Sequence, residues 1–267
     1  MKHSRQSHHV FYATTSVERL YSIFIGPLIV IIFIVLVLKF LPLASSHEKL
    51  ISFSDLFVAS GHTLVRLLIA YFFALICALP IALVATYNKF TEKVFLPMFD
   101  ILESIPVLAF FPIIILFFIN MNFLNGAAIF ILFLSMLWNI VFTVVGGLKI
   151  IPRDIRSASK VFGITGWSYF KQVLIPAVFP EIVTGSILAF AQGWNLIIVA
   201  EVIHTYIPSG VASQDLTGIG SILVHASASG QTDLFVACIG VMIIVIAFFN
   251  YFIWQSLIHY AQRFKFE

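Results

Sequence analysis

Six long apolar runs with almost no charge restrict this sequence more than any other feature. A helix that crosses the hydrocarbon core of a bilayer needs about 20 consecutive, largely apolar residues. The runs that reach this length are residues 21–41, 64–87, 94–119, 125–148, 177–198 and 234–258. The sequence therefore predicts an all-α integral membrane protein with about six transmembrane helices.

Composition and charge exclude several other classes of protein. The 267 residues are 61% hydrophobic and 10% charged, whereas soluble domains are about 45–50% apolar and about 25% charged. A net charge of +3 is too small and too scattered to favour a nucleic-acid partner. Cys77 and Cys238 lie inside apolar runs, and the histidines have no ligand spacing, so neither a disulfide framework nor a metal site is predicted.

The positions of Lys and Arg predict how the chain is oriented in the membrane. Short cytoplasmic loops carry an excess of these residues. If the N-terminus is cytoplasmic, twelve of the 15 Lys and Arg residues fall on that side, and only Lys39 and Lys49 fall clearly outside. Arg66 lies near the outer end of the second run, where we expect its side chain to snorkel towards water. Both termini are therefore predicted to be cytoplasmic.

Two runs have unusual features. The first is longer than the apolar core of a secretory signal, which has about 7–15 residues, so we interpret residues 21–43 as a retained transmembrane helix. The third contains Pro97, Pro106 and Pro112. Proline removes a backbone donor and clashes with the preceding turn, so this span is predicted to be bent or split.

Two connecting segments also carry structural signals. Residues 219–228 form an apolar stretch too short to span a bilayer, which favours a re-entrant or surface helix on the outer side. Residues 150–163 predict an amphipathic helix, because a proline suits its first turn and a glycine suits its end. Such a helix can insert its apolar stripe into a groove of another protein or lie on lipid headgroups, and the spacing leaves both open. The predicted stripe is Ile155, Ala158, Val161 and Phe162.

The same loop resembles the EAA loop of bacterial ABC importer permeases. That pattern is EAA, three residues, Gly, nine residues and then I-x-L-P. This chain has Ser157-Ala158-Ser159, then Gly163, then a Val-Leu-Ile-Pro sequence that ends at Pro176, with the spacing intact. Two of the three EAA letters differ.

Further stretches resemble permeases for nitrate, sulfonate and taurine. Residues 104–112 are similar to their IPxLAxxP stretch, and residues 193–201 to their fifth-helix segment ending in VAE. Residues 218–220 are similar to a GxG-containing segment before their last helix. The likeness extends over about residues 55–257, in order.

This resemblance implies the type I ABC importer permease fold. It assigns residues 55–257 to the permease core with a coupling loop at 150–176, behind the additional helix 21–43. Residues 1–20 and 258–267 are then cytoplasmic segments. The implied location is the bacterial cytoplasmic (inner) membrane.

The resemblance also implies partners. In that family two permease chains pair, as a homodimer or a heterodimer, and each seats its coupling helix in a cytoplasmic ABC ATPase. A substrate-binding protein docks on the opposite face and delivers a small solute, and the resemblance points to a nitrate-, sulfonate- or taurine-like anion. The sequence has no GxxxxGK[ST] motif, so we expect ATP on the partner subunit, and neither a cofactor nor a catalytic residue on this chain.

The coupling residues follow from the match to the EAA loop. The family's first EAA residue is an acid, whereas this chain has a serine there; an acid one turn earlier would serve similarly, or two basic residues would make the contact. The predicted coupling set is Asp154, Arg156, Ser157, Ala158, Ser159, Lys160, Gly163 and Pro176.

Polar residues within the spans are candidates for a translocation path. Asn139, Gln192 and Asn195 have no hydrogen-bonding partner in lipid, so they face either a path or a neighbouring helix. Asp100 and Glu103 lie on one helical face, where they line an inner vestibule, pair with a nearby lysine (Lys89 or Lys93) or sit among headgroups. Glu201 ends the fifth predicted span: the resemblance implies a gate or docking residue, and a solvated helix end is the alternative.

Two rival functions remain open from the sequence. A stand-alone channel or secondary transporter would need no ATPase, so co-purification of an ATP-hydrolysing partner discriminates between them. An intramembrane enzyme is disfavoured, because the sequence offers no paired acids in facing spans and no HExxH or GxSxG motif.

Overall fold

Helices form nearly all of the described part of the chain, as the apolar runs predict. The computed structural model describes residues 53–203 and 215–264. The predicted segments 1–20 and 21–43 lie outside these residues, so the first of the six predicted spans is not covered. The helices are α1 (Phe53–Ala85), α2 (Lys89–Ser104), α3 (Phe111–Asn120), α4 (Leu124–Ile150), α5 (Arg153–Val161), α6 (Gly166–Tyr169), α7 (Ile175–Glu201), α8 (Ile219–Ala228), α9 (Thr232–Phe248) and α10 (Gln255–Ala261).

Four continuous helices in the described ranges are long and apolar enough to cross a membrane. They are Ser54–Ala85, Leu124–Ile150, Gly166–Glu201 and Thr232–Phe264. A fifth candidate is a bent pair, Lys89–Ser104 with Val107–Asn120, whose axes differ by 74°. The chain is therefore a multi-pass membrane protein.

Proline causes the bend in the third predicted span. The break falls at Ile105, which is extended, and at Pro106, and a short 3-10 turn (Val107–Phe110) leads into α3. Pro112 occupies the first turn of α3, where its missing N–H costs nothing. The prediction of a bent or split span is confirmed.

α1 begins at Phe53 rather than at the predicted residue 64. Small polar residues lower the apolar character of its first three turns, and one of them is satisfied within the helix: the Ser60 hydroxyl donates to the carbonyl oxygen of Leu56 at 2.8 Å. Leu56 is 1% exposed and belongs to a second apolar cluster with residues of α8 and α9, including Ile219 and Leu223. Tertiary packing thus extends the helix beyond the run that hydropathy identifies.

α4 lies at the centre of the bundle, packed along α7 on one side and α1 on the other. In its most apolar window, 56% of the residues are buried, against 11% for the last span. α1 meets α4 through a stripe of small residues spaced by four, Ala70, Ala74, Ala78 and Ala82, all fully buried. Small residues let helix backbones approach closely, which is how helices associate in lipid.

Gly185 allows the same close approach between α7 and α4. A β-carbon at this position would overlap Thr143 Oγ1 and lie 3.1 Å from the Cα atom of Ile140 in α4. At Gly146, on α4 itself, a β-carbon would have open space around it. The two glycines are therefore constrained differently, although both lie in the bundle.

We expect Gly185→Ala to destabilise the protein by about 1–3 kcal/mol, the usual cost of overpacking a tight interface. Gly146→Ala, the matched control, is expected to be neutral or slightly stabilising because alanine favours helix. The measurement is the thermal unfolding midpoint of the purified protein in detergent. An unchanged midpoint for Gly185→Ala would contradict the close α4–α7 packing.

Candidate functional sites at the two ends of the bundle

The predicted coupling helix exists as α5, between Pro152 and Gly163. Pro152 precedes the first helical residue. Gly163 has φ +68°, and the chain ends the helix there with two bonds: Gly163 N–H donates to the Lys160 carbonyl at 3.1 Å and Ile164 N–H to the Ser159 carbonyl at 2.8 Å. This is a Schellman motif, which glycine favours because it adopts positive φ without strain. Both predicted helix boundaries are confirmed.

The apolar stripe predicted for α5 is divided between two directions. Ile155 packs against the main core, and Ser159 is 5% exposed. Val161 and Phe162, in contrast, are 84% and 79% exposed. The predicted stripe therefore does not face one way: Ile155 seats α5 on the bundle, and the C-terminal end of α5 projects outwards, so a partner groove and lipid headgroups both stay open for it.

Val161, Phe162 and Trp167 together form an exposed apolar patch around the Gly163 turn. Trp167 is 75% exposed and stacks on Phe170, with ring centroids 5.0 Å apart. Large apolar side chains grouped in this way mark a surface that contacts a partner or lipid. We call these three residues the loop patch.

Arg156 is exposed but also makes a contact within the chain, and its predicted contact with an ATPase stays a prediction. Its Nη2 donates to the Leu148 carbonyl oxygen at 2.8 Å. Leu148 belongs to the last turn of α4, whose carbonyl groups lack partners within the helix and attract cations. Arg156 thus ties α5 to the end of α4. Among the other predicted coupling residues, Asp154, Ser157, Ala158 and Lys160 are exposed.

Pro176, the last member of the coupling set, lies in the first turn of α7. A π-helical turn, Phe170–Leu174, comes directly before α7, and the Ile175 N–H donates to the carbonyl of Phe170. α6, this turn and α7 form one continuous helix from Gly166 to Glu201, longer than the predicted span 177–198. The second half of the predicted coupling loop therefore continues into its membrane helix without a break.

The acids of the third predicted span are not paired with lysine. Asp100 and Glu103 are both exposed, and neither forms an ion pair with another described residue. Lys149 instead pairs with Glu92 at 2.7 Å. That pair is partly exposed, so it contributes at most about 1 kcal/mol. The predicted pairing with Lys89 or Lys93 is wrong, while the vestibule and headgroup alternatives stay open.

The three amides predicted for a path separate into two kinds. Asn139 is half-buried, and its Nδ2 donates to the Ser135 carbonyl of its own helix at 3.2 Å. Gln192 and Asn195 are exposed on one stripe of α7 with Thr184 and Leu188. Amides exposed on a membrane helix have to face another protein surface or water. Gln192 and Asn195 therefore mark a face of α7 that the single chain leaves uncovered.

Glu201 lies at the opposite end of α7 from the coupling loop and is fully buried. Its Oε1 accepts from the Thr63 hydroxyl at 2.7 Å and from Arg66 Nη1 at 2.8 Å. Its Oε2 accepts from the Gly220 N–H at 2.8 Å. Arg66 Nε donates to Asn125 Oδ1 at 2.8 Å, and Arg66 is 5% exposed. We call these five residues the Glu201 cluster.

Two predictions are corrected by this cluster. Arg66 does not snorkel to water but is enclosed between helices, and Glu201 is not a solvated helix end. A buried ion pair persists only where additional hydrogen bonds offset the loss of hydration, and here the carboxylate accepts two besides the bond from Arg66. The assignment of Glu201 to a gate or path stays a prediction, because the carboxylate is enclosed in this conformation.

Gly218 and Gly220 provide the space that Glu201 occupies. A β-carbon at Gly218 would overlap the Glu201 carboxylate, and one at Gly220 would lie 2.9 Å from both Glu201 Oε2 and the Cα atom of Ile198. Family likeness alone singles out this Gly-x-Gly sequence. The sequence also contains an arginine inside a predicted span and a carboxylate at the end of another, both on the same side of the membrane as the two glycines. Taken together, these residues could have predicted that the glycines pack against Glu201.

The fold is that of an ABC importer permease. A chain of the inward-facing MetNI methionine ABC transporter superposes with a TM-score of 0.64, covering 80% of this chain and 99% of that chain at 17% identity. The family described as the binding-protein-dependent transport system inner membrane component matches residues 70–259. This match covers more than half of the chain, and the chain belongs to that family.

Curated relatives include permeases for several anions. The nitrate import permease protein NrtB of Leptolyngbya laminosa is 28% identical over 62% of this chain and 58% of that protein. The bicarbonate transport system permease protein CmpB of Synechococcus elongatus is 29% identical over 53% and 50%. The putative aliphatic sulfonates transport permease protein SsuC of Escherichia coli is 28% identical over 57% and 53%. The matched segments thus span between half and three-fifths of these relatives.

We expect Gly163→Val to loosen the end of α5, because a β-branched residue at positive φ costs about 1–3 kcal/mol. A β-carbon at Gly163 would have no atom within 4 Å, so the effect is conformational rather than steric. Gly163→Asn is the matched control, since asparagine tolerates this conformation. Hydrogen exchange of residues 158–164 is the measurement, and equal exchange in the two variants would contradict the Schellman geometry.

Proposed function

We propose that this chain is the transmembrane permease subunit of an ATP-driven ABC importer and forms the translocation path for a small solute. The observation that carries the proposal is α5: a short helix fixed to the end of the central α4, with the exposed loop patch at its tip. Family membership and the permease fold support it. ATP hydrolysis would take place on a separate ABC ATPase, and this chain would supply no catalytic residue or cofactor.

We assign the coupling residues to two roles. Arg156 and Ser159 hold α5 on the bundle, since Arg156 binds the Leu148 carbonyl and Ser159 is buried. The loop patch would enter a cleft of the ATPase, with four exposed residues of α5 around it. Those four are Asp154, Ser157, Ala158 and Lys160. Gly163 and Pro176 would fix the direction of the loop on either side of the contact.

The path would form where two permease copies meet, as a homodimer or a heterodimer. The uncovered stripe of α7 with Gln192 and Asn195 supports this placement, because a partner copy would cover or hydrate these amides. Asp100 and Glu103 would lie at the inner vestibule. Glu201 would act as a gate at the far end, and Asn139 would line the path only after leaving its intrahelical bond.

Likeness to relatives supports our proposals for the location and the solute. We place the protein in the bacterial cytoplasmic membrane with both termini and α5 on the cytoplasmic side, so that the ATPase meets α5 there. A substrate-binding protein would dock on the opposite side, at the Glu201 end of the bundle. Nitrate, bicarbonate and aliphatic sulfonates, named for the relatives, are all small anions. We therefore propose a small anion as the transported solute.

The test is Phe162→Asp, with Phe162→Leu as the matched control. Phe162 is 79% exposed, so neither change disturbs the core. A charge in an apolar contact is costly to desolvate, and we expect Phe162→Asp to reduce co-purification of the proposed partner ABC ATPase at least about tenfold. Phe162→Leu should retain most of it.

Anion uptake into proteoliposomes that contain the chain, this ATPase and the proposed substrate-binding protein provides the functional readout. It should require ATP and should fall in parallel with ATPase binding in Phe162→Asp. Uptake that persists without the ATPase would identify a stand-alone channel or secondary transporter instead and would remove the proposal.

A further inference from the structure

The N-terminus of α8 has no side-chain cap of its own. Its N-cap residue is Gly218, which has no side chain to accept the first free N–H groups. These groups are bound from other helices instead: the Ile219 N–H donates to Thr63 Oγ1 at 3.0 Å and the Gly220 N–H to Glu201 Oε2 at 2.8 Å. The cap of α8 is thus built from α1 and α7.

α8 depends on this external cap more than a long helix would. It has 10 residues, and isolated helices shorter than about 12–15 residues are marginal even with favourable sequences. An anion at a helix N-terminus also interacts favourably with the helix dipole. The Glu201 carboxylate therefore contributes to holding the first turn of α8 in place.

Thr63 and Arg66 fix that carboxylate. The Thr63 hydroxyl serves twice, because it donates to Glu201 Oε1 and accepts from the Ile219 N–H. Arg66 pairs with Glu201 through Nη1, and its Nε donates a hydrogen bond to Asn125 on α4. Without Arg66, the carboxylate would be an unpaired charge shielded from solvent, which is strongly unfavourable. One hydroxyl and one guanidinium thus join α1, α4, α7 and α8.

We propose that Thr63 and Arg66 are positioning residues for closure of the path at the end opposite α5. They hold Glu201 so that its carboxylate fastens the first turn of α8 to the end of α7, and this end opens only when α8 leaves the carboxylate. The uncovered amides support the link to the path: Asn195 lies six residues before Glu201 on α7, about 9 Å along the axis. The closure role rests on the proposed function, whereas the fastening of α8 does not.

The structural arm of the test uses the full-length chain in lipid nanodiscs and hydrogen exchange followed by mass spectrometry. Thr63→Val removes the hydroxyl at constant shape, and Thr63→Ser keeps it. We expect Thr63→Val to raise exchange at residues 219–224 at least about tenfold and to leave α4 unchanged, with Thr63→Ser close to the parent. Glu201→Gln should act like Thr63→Val, while Glu181→Gln, the same change on the same helix outside the cluster, should have no effect.

The functional arm measures ATP hydrolysis in proteoliposomes with the ABC ATPase but without solute. Thr63→Val should raise this basal rate several-fold and Thr63→Ser should restore it, because loosening of α8 removes the closed end. If Thr63→Val raised exchange equally in α4 and α8, the cluster would only support the bundle in general, and the proposal would be overturned. Equal effects of Thr63→Val and Thr63→Ser would overturn it as well. Released α8 with an unchanged basal rate would overturn the closure role and leave the proposed function intact.

Discussion

Close packing of α4 between α1 and α7 is the constraint on which the described structure depends. Lipid tails are as apolar as the side chains they meet, so helices in a membrane associate through contact rather than through exclusion of water. The alanine stripe of α1 and Gly185 of α7 bring their backbones against α4. Interiors packed in this way deform little, so we expect α4 to be a rigid helix that connects the two ends of the bundle.

Both candidate sites contact α4, but one consists of exposed apolar side chains and the other of a buried ion pair. At one end, Arg156 binds the carbonyl of Leu148, and the site presents apolar side chains to the surroundings. At the other end, Asn125 receives Arg66, and the site encloses an ion pair away from the surroundings. An exposed apolar surface is suited to reversible binding of a partner. A fully satisfied buried network is suited to holding one arrangement of its helices.

Local features of the fold could be predicted from the sequence, because each depends on neighbouring residues. Hydropathy locates the spans in the described ranges, Pro106 locates the bend, and Gly163 locates the end of α5. The partners of arginine could not be predicted in this way. Arg66 meets Glu201 across 135 positions of the sequence, and only the packing of α1 on α7 brings them together. The predicted stripe also groups Val161 with Ile155, but residues six apart in a helix point about 120° away from each other, so Ile155 faces the core and Val161 does not.

The prediction that Arg66 snorkels to water is wrong, and the contact of Arg156 within the chain has the same physical origin. The rules that place arginine at the membrane surface assume that water or a partner protein satisfies the guanidinium, yet the backbone and side chains of this chain also offer acceptors. The unpaired carbonyls at the end of α4 supply one for Arg156, and Asn125 and Glu201 supply two for Arg66. A guanidinium that binds within the chain turns a mobile charge into a fixed joint between helices. Displacement of α5 by a partner would therefore pull on α4 directly, and any movement of α4 would reach Arg66 through Asn125 at the other end.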